Sequence, residues 1–139
     1  MLKIIMNYLC IVPVFNKEER LSILLEEINK FKEKNEYIKF LIIDNGSNDK
    51  SNEIIKKYNF NLITNKKNHG VGYALIQGYK YARKNKIDVL IHLGGLFDRS
   101  RLTVIKNRAA PVQISWMNIN TTGVKNMDYL ITITPATSS

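Results

Sequence analysis

The chain has 139 residues, of which 45% are hydrophobic and 24% are charged, so its length fits one domain and its composition excludes a disordered chain. Its formal net charge of +9 favours anionic ligands, although a solvated, lysine-rich surface explains the charge equally well. The single cysteine, Cys10, excludes an internal disulfide and a cysteine-based zinc cage, and it fits a reducing, cytoplasmic compartment. Aromatic and basic residues are not interleaved as in single-strand platforms, so we expect no nucleic-acid partner.

Strand and helix signals alternate along residues 1–93. Short continuous apolar runs predict four buried strands: Tyr8–Pro13, Lys39–Asp44, Phe60–Thr64 and Val89–Leu93. Helical periodicities predict a helix after each of the first three strands, the second over Ser51–Tyr58 and the third over Val71–Lys84. A strand followed by a helix, three times over, predicts an α/β fold with a parallel sheet and flanking helices.

The first and third helices carry further signals. Asn16 is predicted to cap the first helix, with Glu19 in the capping-box position. The inward face of this helix is predicted to consist of five apolar residues: Leu21, Leu24, Leu25, Ile28 and Phe31. The inner face of the third helix is small (Ala74, Gly78 and Ala82), so we expect that helix to lie close to the sheet.

Polar residues gather where the predicted strands end. Four segments follow the strands, namely Val14 to Asn16, Asp44 to Asp49, Asn68 to Gly70, and Gly94 to Asp98. Ligands of parallel sheets bind beyond the carboxyl ends of the strands, so this edge is the candidate functional site. There is no Walker loop, no G-x-G-x-x-G fingerprint and no nucleophile elbow.

Three motifs occur in order within this region: IVPVFNKEER, FLIIDNGSNDKS and NKKNHGVGYALIQGYKYA. Together they resemble the N-terminal half of the family 2 glycosyltransferases, which have the GT-A fold. The resemblance implies a partial GT-A parallel sheet with flanking helices, similar to nucleotide-diphospho-sugar transferases, over residues 1–93. It also implies a nucleotide-diphosphate sugar as partner.

The resemblance further implies seven nucleotide-sugar-binding residues: Pro13, Val14, Phe15, Asp44, Asp49, Asn68 and Gly70. The first three would wall the base slot, and Asp44 would accept hydrogen bonds from the base or ribose. Asp49 would support its loop, although a simple cap of the helix at Ser51 is an equal alternative. Asn68 and Gly70 would let the third loop approach the nucleotide, although a turn residue is the more ordinary role for Gly70.

The sequence departs from the family after the fourth strand. The family places there a carboxylate motif that binds Mg²⁺ or Mn²⁺, so a divalent metal is the expected cofactor. This chain has Gly94-Gly95-Leu96-Phe97-Asp98 instead, in which Asp98 is a weak metal candidate without a partner carboxylate. No catalytic residue is identified.

Residues 94–139 resemble a fragment of a different family, the family 41 O-linked N-acetylglucosamine transferases and SPINDLY-type proteins. The matching positions include Gly95, Arg101, Arg108, Gln113, Trp116, Asp128 and Tyr129. The chain is therefore interpreted as a join of two partial glycosyltransferases near residue 93, formed naturally or by an assembly artefact. We expect a short C-terminal α/β tail with a helix over Ser100–Asn107 and strands over 112–116 and 128–134. These strands would extend the sheet, with Trp116 and Tyr129 in the core.

The resulting hypothesis is a hexosyltransferase-type glycosyltransferase that moves a sugar from a nucleotide-diphosphate sugar to an unknown acceptor. The alternatives are a catalytically inert nucleotide-sugar-binding half-domain and a non-functional fusion fragment. The net positive charge suits a peripheral position at the inner face of a membrane.

Overall fold

A computed structural model describes residues 6–93, 108–116, 125 and 128–131. The described strands are β1 (Tyr8–Val14), β2 (Ile38–Asp44), β3 (Asn61–Thr64), β4 (Val89–Leu93), β5 (Val112–Trp116) and β6 (Tyr129–Ile131). The described helices are α1 (Glu18–Lys34), α2 (Ser51–Ile55) and α3 (Val71–Lys84). All seven elements predicted over residues 1–93 are present, and the largest error is at α2, which ends three residues before Tyr58. The predicted helix over Ser100–Asn107 lies outside the described residues.

The six described strands form one sheet in the order β3-β2-β1-β4-β5-β6, and every neighbouring pair is parallel. The predicted α/β class is thus confirmed, in an arrangement consistent with a partial GT-A fold. β1 pairs with β2 along its whole length, from Tyr8 to Val14. It pairs with β4 only at Tyr8 and Leu9. β2 and β3 lie on one side of β1, and β4 lies on the other. Ligands of α/β sheets bind at the carboxyl ends of two neighbouring strands where the strand order reverses in this way, which here are β1 and β4.

The helices divide the core into two layers. α1 and α2 cover one face of the sheet, where the buried residues are Val14, Leu21, Leu25, Ile42 and Ile55. α3 covers the other face, where the buried residues are Leu9, Leu41, Ile43, Ala74, Tyr79, Ala82, Ile87, Leu90, Ala109 and Ala110. Both layers bury continuous apolar runs of the central strands, as expected for a sheet covered on both faces.

Two predictions for α1 are wrong. Leu24 and Phe31 are 46% and 48% exposed and so are not buried, although the Phe31 ring meets Phe40 of β2 edge to face, with the ring centroids 6.3 Å apart. Asn16 does not cap the helix: Lys17 holds the N-cap position, and Asn16 has a positive φ of 49°. The side chain of Asn16 instead accepts a hydrogen bond from the Asn48 N–H at 2.9 Å, so a contact distant in sequence displaces the local capping pattern.

The tail extends the sheet as predicted. β5 pairs with β4 from Val89↔Val112 to Leu93↔Trp116, and Ala109 and Ala110 join the core beneath α3. The Arg108 guanidinium forms an ion pair with the Asp128 carboxylate and holds the pKa of that carboxyl below its usual value. The predicted burial of Tyr129 is wrong, because its side chain on β6 is 64% exposed. The Trp116 side chain lies outside the described part of the structure.

α3 lies very close to β1. A Cβ placed on Gly78 would stand 2.6 Å from Cδ1 and 2.7 Å from Cγ2 of Ile11, so only glycine fits there without movement. Ala74 and Ala82, one turn to either side, are both fully buried. The prediction of a small inner face is confirmed. None of the described helices combines the length and apolar character that a membrane span requires.

We expect Gly78→Ala to lower the free energy of unfolding by about 1–3 kcal/mol, because the added methyl overlaps Ile11 and overpacks the core. Gly72→Ala, in the same helix, is the matched control, since a Cβ at Gly72 meets no atom within 4 Å. It should raise the free energy of unfolding by up to about 1 kcal/mol through helix propensity. Urea unfolding of both variants measures the change in the free energy of unfolding. A change of the same sign in both would contradict the close approach of α3 to β1.

Candidate functional site

A cleft of about 360 Å³ opens at the carboxyl ends of β1 and β2 and at the start of α3. Its lining comprises Pro13, Val14, Phe15, Lys17, Asn45, Asn68, Gly70 and Val71. The walls are thus partly apolar, and Lys17 is the one charged residue among them. Such a concave, half-apolar site with a few convergent polar groups is typical of small-molecule binding.

The side chain of Asn45 holds the cleft together. Asn45 is 4% exposed and follows directly after β2. Its Nδ2 donates to Asn68 Oδ1 at 2.9 Å and to the Gly70 carbonyl at 3.0 Å. Its Oδ1 accepts from Asn65 Nδ2 at 3.0 Å and from the His69 N–H at 3.4 Å. One buried amide therefore fixes four residues of the loop between β3 and α3.

This arrangement continues away from the cleft. Asn65 and Gln77 form a reciprocal pair of amide hydrogen bonds, both 2.9 Å long, which ties the start of the loop to α3. Asn68 Oδ1 also accepts the Gly70 N–H at 2.8 Å. The side chains of Asn65 and Asn68 and the backbone of Gly70 are thus tied by hydrogen bonds, which hold the loop in place without regular secondary structure.

Gly46 brings the two loops into backbone contact. It has a φ of 79°, and a Cβ there would lie 2.3 Å from the carbonyl carbon of Lys67 and 2.6 Å from the nitrogen of Asn68. Gly70 also has a positive φ, of 84°, but a Cβ there would meet nothing within 4 Å. At Gly46, both the positive φ and the lack of room for a Cβ favour glycine. At Gly70, only the positive φ favours it.

Asp44 lies beneath the cleft and does not line it. The residue is 1% exposed. Its Oδ1 accepts the Ser47 N–H at 3.0 Å, and its Oδ2 accepts from Asn52 Nδ2 at 2.7 Å. Both carboxylate oxygens therefore hold the loop after β2 in place, and a role of Asp44 toward base or ribose stays a prediction.

Asp49 links the starts of two helices. Its Oδ2 accepts the Glu18 N–H of α1 at 3.1 Å, and its Oδ1 accepts the Ser51 N–H of α2 at 2.9 Å. Partial burial alone would raise the pKa of this carboxyl, but the hydrogen bonds from Ser51 and Glu18 outweigh it and hold the pKa below the usual value. Asp49 lines a separate groove along Asn16–Arg20. Its observed contacts are those of a residue that caps helices, as in the alternative given above.

Five of the seven predicted site residues line the cleft, and Asp44 and Asp49 instead support it from below and beside. Whether any of the seven binds a ligand stays a prediction. The sequence analysis missed Lys17, Asn45 and Val71 as lining residues. All three lie within the quoted motifs, but a motif does not say which of its side chains face the cleft.

The described carboxylates do not offer a metal site. Within residues 6–93, 108–116, 125 and 128–131, no group of three or more His, Cys, Asp or Glu side chains could hold a metal ion. Asp44 and Asp49 each use both oxygens on protein donors. Asp98, the weak metal candidate, lies outside the described residues.

Comparison with known proteins identifies a family to which most of the chain is similar. Residues 9–92, more than half of the chain, match the family described as glycosyl transferase family 2. An uncharacterized protein of Methanocaldococcus jannaschii is 27% identical over 105 residues, which are 70% of this chain and 44% of that protein. A second uncharacterized protein of the same organism is 35% identical over 81 residues, which are 58% of this chain and 32% of that protein.

A further similarity involves a different kind of protein. A probable UDP-N-acetylglucosamine–peptide N-acetylglucosaminyltransferase SPINDLY of Arabidopsis thaliana is 43% identical over a 51-residue stretch, which is 36% of this chain and 6% of that protein. The predicted resemblance to SPINDLY-type proteins is confirmed over that stretch alone. The chain spans less than half the length of each of these three relatives.

We expect Gly46→Ala to cost more stability than Gly70→Ala. Both substitutions force alanine into a backbone conformation that favours glycine, at a strain of about 1–3 kcal/mol; Gly70, with φ 84° and ψ 158°, lies in a region that only glycine visits readily. Gly46→Ala adds an overlap with the Lys67–Asn68 backbone, so its total loss should exceed about 3 kcal/mol. Urea unfolding compares the two variants directly. Equal losses of stability in the two variants would mean that the loop between β3 and α3 can move to accommodate the added methyl group, which would contradict the packing constraint at Gly46.

Asp49 should make the stability of the protein depend on pH in acid. Its pKa in the folded protein lies below the ordinary value of 3.8, so its contribution is complete above that value and is lost as the pH falls through the folded pKa. Asp49→Asn should therefore be less stable at neutral pH and should lose less stability between pH ~5 and ~2. Urea unfolding across this range measures both effects. Glu53→Gln, which changes an exposed carboxylate of α2, is the control.

Proposed function

The chain belongs to glycosyl transferase family 2, and we propose that its cleft binds the nucleotide part of a nucleotide-diphosphate sugar. The observation that carries this proposal is the convergence of Pro13, Val14, Phe15, Asn68 and Gly70 on one cleft. These residues come from two motifs more than fifty positions apart, at the edge of the sheet where α/β folds bind ligands.

The apolar part of the cleft suits a nucleobase. Pro13, Val14 and Val71 form apolar walls, and Phe15 is 37% exposed. An aromatic side chain that stays partly exposed at a cleft offers a face on which a base can stack. A base also brings polar edges, which the amide groups of the same cleft can meet.

The polar part of the cleft suits an anion. Lys17 contributes positive charge, and no carboxylate lines the cleft among the described residues. α3 begins at Gly70 and Val71 with no acidic residue in its first turn, so its N-terminal N–H groups favour negative charge. A diphosphate is the anionic group that a nucleotide sugar carries.

In the proposed reaction, the bond between the sugar's anomeric carbon and the diphosphate oxygen breaks as an acceptor oxygen forms a new bond to that carbon. The diphosphate leaves with the electron pair, and the acceptor loses a proton to a base that we do not assign. The cleft would hold the leaving nucleotide diphosphate. The family's divalent metal would neutralise that charge, but the described carboxylates do not fit it, so we derive no step through a metal.

A second candidate function is a catalytically inert nucleotide-sugar-binding half-domain. The engagement of Asp44 and Asp49 with protein donors favours it, because both carboxylates already serve to hold the loop and the helix starts of the scaffold. This candidate predicts diphosphate binding that is indifferent to Mg²⁺ and Mn²⁺. The transferase candidate predicts that either ion tightens donor binding and that the sugar is transferred or hydrolysed.

We also propose that residues 1–93 and 94–139 descend from two glycosyltransferase families. The match to family 2 ends at residue 92, and the SPINDLY similarity supports a second source. The register of β5 on β4 is continuous, so such a join leaves the sheet intact. UDP-N-acetylglucosamine is accordingly one donor to test.

We expect Phe15→Ala to weaken UDP binding about tenfold or more, because base–aromatic stacking contributes about 1–3 kcal/mol per base. The measurement is a ¹⁵N–¹H correlation spectrum of the chain titrated with UDP and with UDP-N-acetylglucosamine, followed by Mg²⁺. Phe31→Ala is the matched control, since Phe31 is similarly exposed but lies on α1. Shifts outside the cleft, or equal losses in both variants, would contradict the proposed site.

A further inference from the structure

We propose that Asn45 is a site of spontaneous deamidation, and that opening of the loop between β3 and α3 sets the rate of this modification. Asn45 precedes Gly46, and the sequence contains no other asparagine followed by glycine. Since glycine has no side chain, its backbone nitrogen reaches the preceding amide with the least steric hindrance. The inference does not depend on the proposed function, because it concerns the chemistry of the loops themselves.

Two separate constraints of the fold place this reactive pair at the centre of the site. Asparagine at position 45 both donates to the loop between β3 and α3, at Asn68 and Gly70, and accepts from it. Glycine at position 46 is required because a Cβ there would lie 2.3 Å from the carbonyl carbon of Lys67. A change at either position loses a contact with this loop, so the architecture of the site itself calls for the asparagine–glycine pair.

The modification needs only water and a base. The Gly46 nitrogen loses its proton to hydroxide and forms a bond to Cγ of Asn45. The bond between Cγ and the side-chain nitrogen then breaks, and that nitrogen takes up a proton and leaves as ammonia. Water opens the resulting cyclic imide at one of its two carbonyl groups, which gives isoaspartate or aspartate. No electrons are exchanged, so no oxidant or reductant takes part.

The folded loop opposes the first step of this reaction. Attack makes the planar Cγ of Asn45 tetrahedral, which moves the amide nitrogen and oxygen away from the positions where four hydrogen bonds hold them. Asn45 is also only 4% exposed, which restricts the access of water and base. The reaction therefore proceeds from molecules in which the loop has opened, and its rate follows the fraction of molecules that are open.

Deamidation removes the attachment of the loop. The Asn45 side-chain nitrogen donates to Asn68 Oδ1 at 2.9 Å and to the Gly70 carbonyl at 3.0 Å. A carboxylate oxygen in its place faces two acceptors, so two hydrogen bonds become contacts between oxygens that repel each other. Isoaspartate also adds a carbon atom to the main chain at this position. Since Asn45 positions the cleft wall at Asn68, the modification dismantles the cleft in one direction only.

The first measurement follows deamidation of the full 139-residue chain at one mildly alkaline pH, in native buffer and in concentrated guanidinium chloride. A brief digestion with trypsin releases residues 40–50, and fragmentation in a mass spectrometer separates Asn45 from Asn48. Asn48 is exposed in the folded protein, so it reports any effect of the denaturant on the chemistry itself.

We expect Asn45 to react faster than Asn48 in the unfolded chain, and about tenfold or more slowly in the folded protein than in the unfolded chain. Equal rates at Asn45 in the two states would overturn the inference, because the loop would then offer no protection. A faster reaction at Asn48 than at Asn45 in the unfolded chain would overturn it as well.

Gln77→Ala tests the role of the loop. It removes the amide pair that ties Asn65 to α3, whereas the four hydrogen bonds of Asn45 involve other groups. We expect Asn45 to deamidate several-fold faster, by up to about tenfold, because the loop opens more often. Asn35→Ala is the matched control, since it removes an amide hydrogen bond of 2.8 Å to Phe31 at the end of α1. It should leave the rate unchanged.

An unchanged rate in Gln77→Ala, or an equal acceleration in both variants, would show that opening of this loop does not control the modification. Thermal unfolding checks that both variants are folded. If Gln77→Ala does not fold, the comparison of the folded and unfolded wild-type chain still decides the question.

Asn45→Asp tests the consequence, because it imitates the aspartate product. Asn48→Asp adds the same charge three residues away and is the control. Hydrogen exchange of the Gly70 N–H, which donates to Asn68 Oδ1, reports whether the loop is held. We expect exchange to be about tenfold or more faster in Asn45→Asp and unchanged in Asn48→Asp. Wild-type exchange in Asn45→Asp would mean that the loop tolerates the product, and it would overturn the inferred loss of the cleft.

Discussion

The buried side chain of Asn45 determines the shape of the candidate site. The loop between β3 and α3 has no regular secondary structure, and four hydrogen bonds to this one amide set its position relative to β2. A buried amide is costly unless all its groups are paired, so the arrangement that pairs them is strongly favoured over others. Both the cleft wall at Asn68 and the start of α3 at Gly70 depend on it.

Two close approaches reinforce this arrangement from either side. Gly46 allows the loop after β2 to contact the backbone at Lys67 and Asn68, and Gly78 allows α3 to settle onto Ile11 of β1. The reciprocal amide pair of Asn65 and Gln77 connects the two, because it joins the loop to the middle of α3. The walls of the cleft are therefore held in place by contacts within the protein.

Much of this fold could be predicted from the sequence. The apolar runs and helical periodicities located the elements of residues 1–93, and the rule that parallel strands end at a common edge located the site. The five cleft residues followed from the resemblance to the family 2 glycosyltransferases. Contacts between segments distant in sequence could not be predicted. Asn16 has a good local capping pattern, but its side chain bonds to Asn48 instead. Asn45 sits within a motif, yet its role depends on loop geometry that spacing does not encode.

The acidic motif residues show how structural and binding roles divide between neighbouring positions. Asp44 closes its own loop, and Asp49 accepts N–H groups at the starts of α1 and α2, where the positive ends of the helix dipoles stabilise negative charge. Their charges are thus used within the scaffold, and the described cleft lining keeps one formal charge, on Lys17. Repulsion between motif carboxylates and an anionic ligand is thereby reduced. The loops thus combine an interior braced by carboxylates with a cleft lining whose one charged residue, among those described, is Lys17.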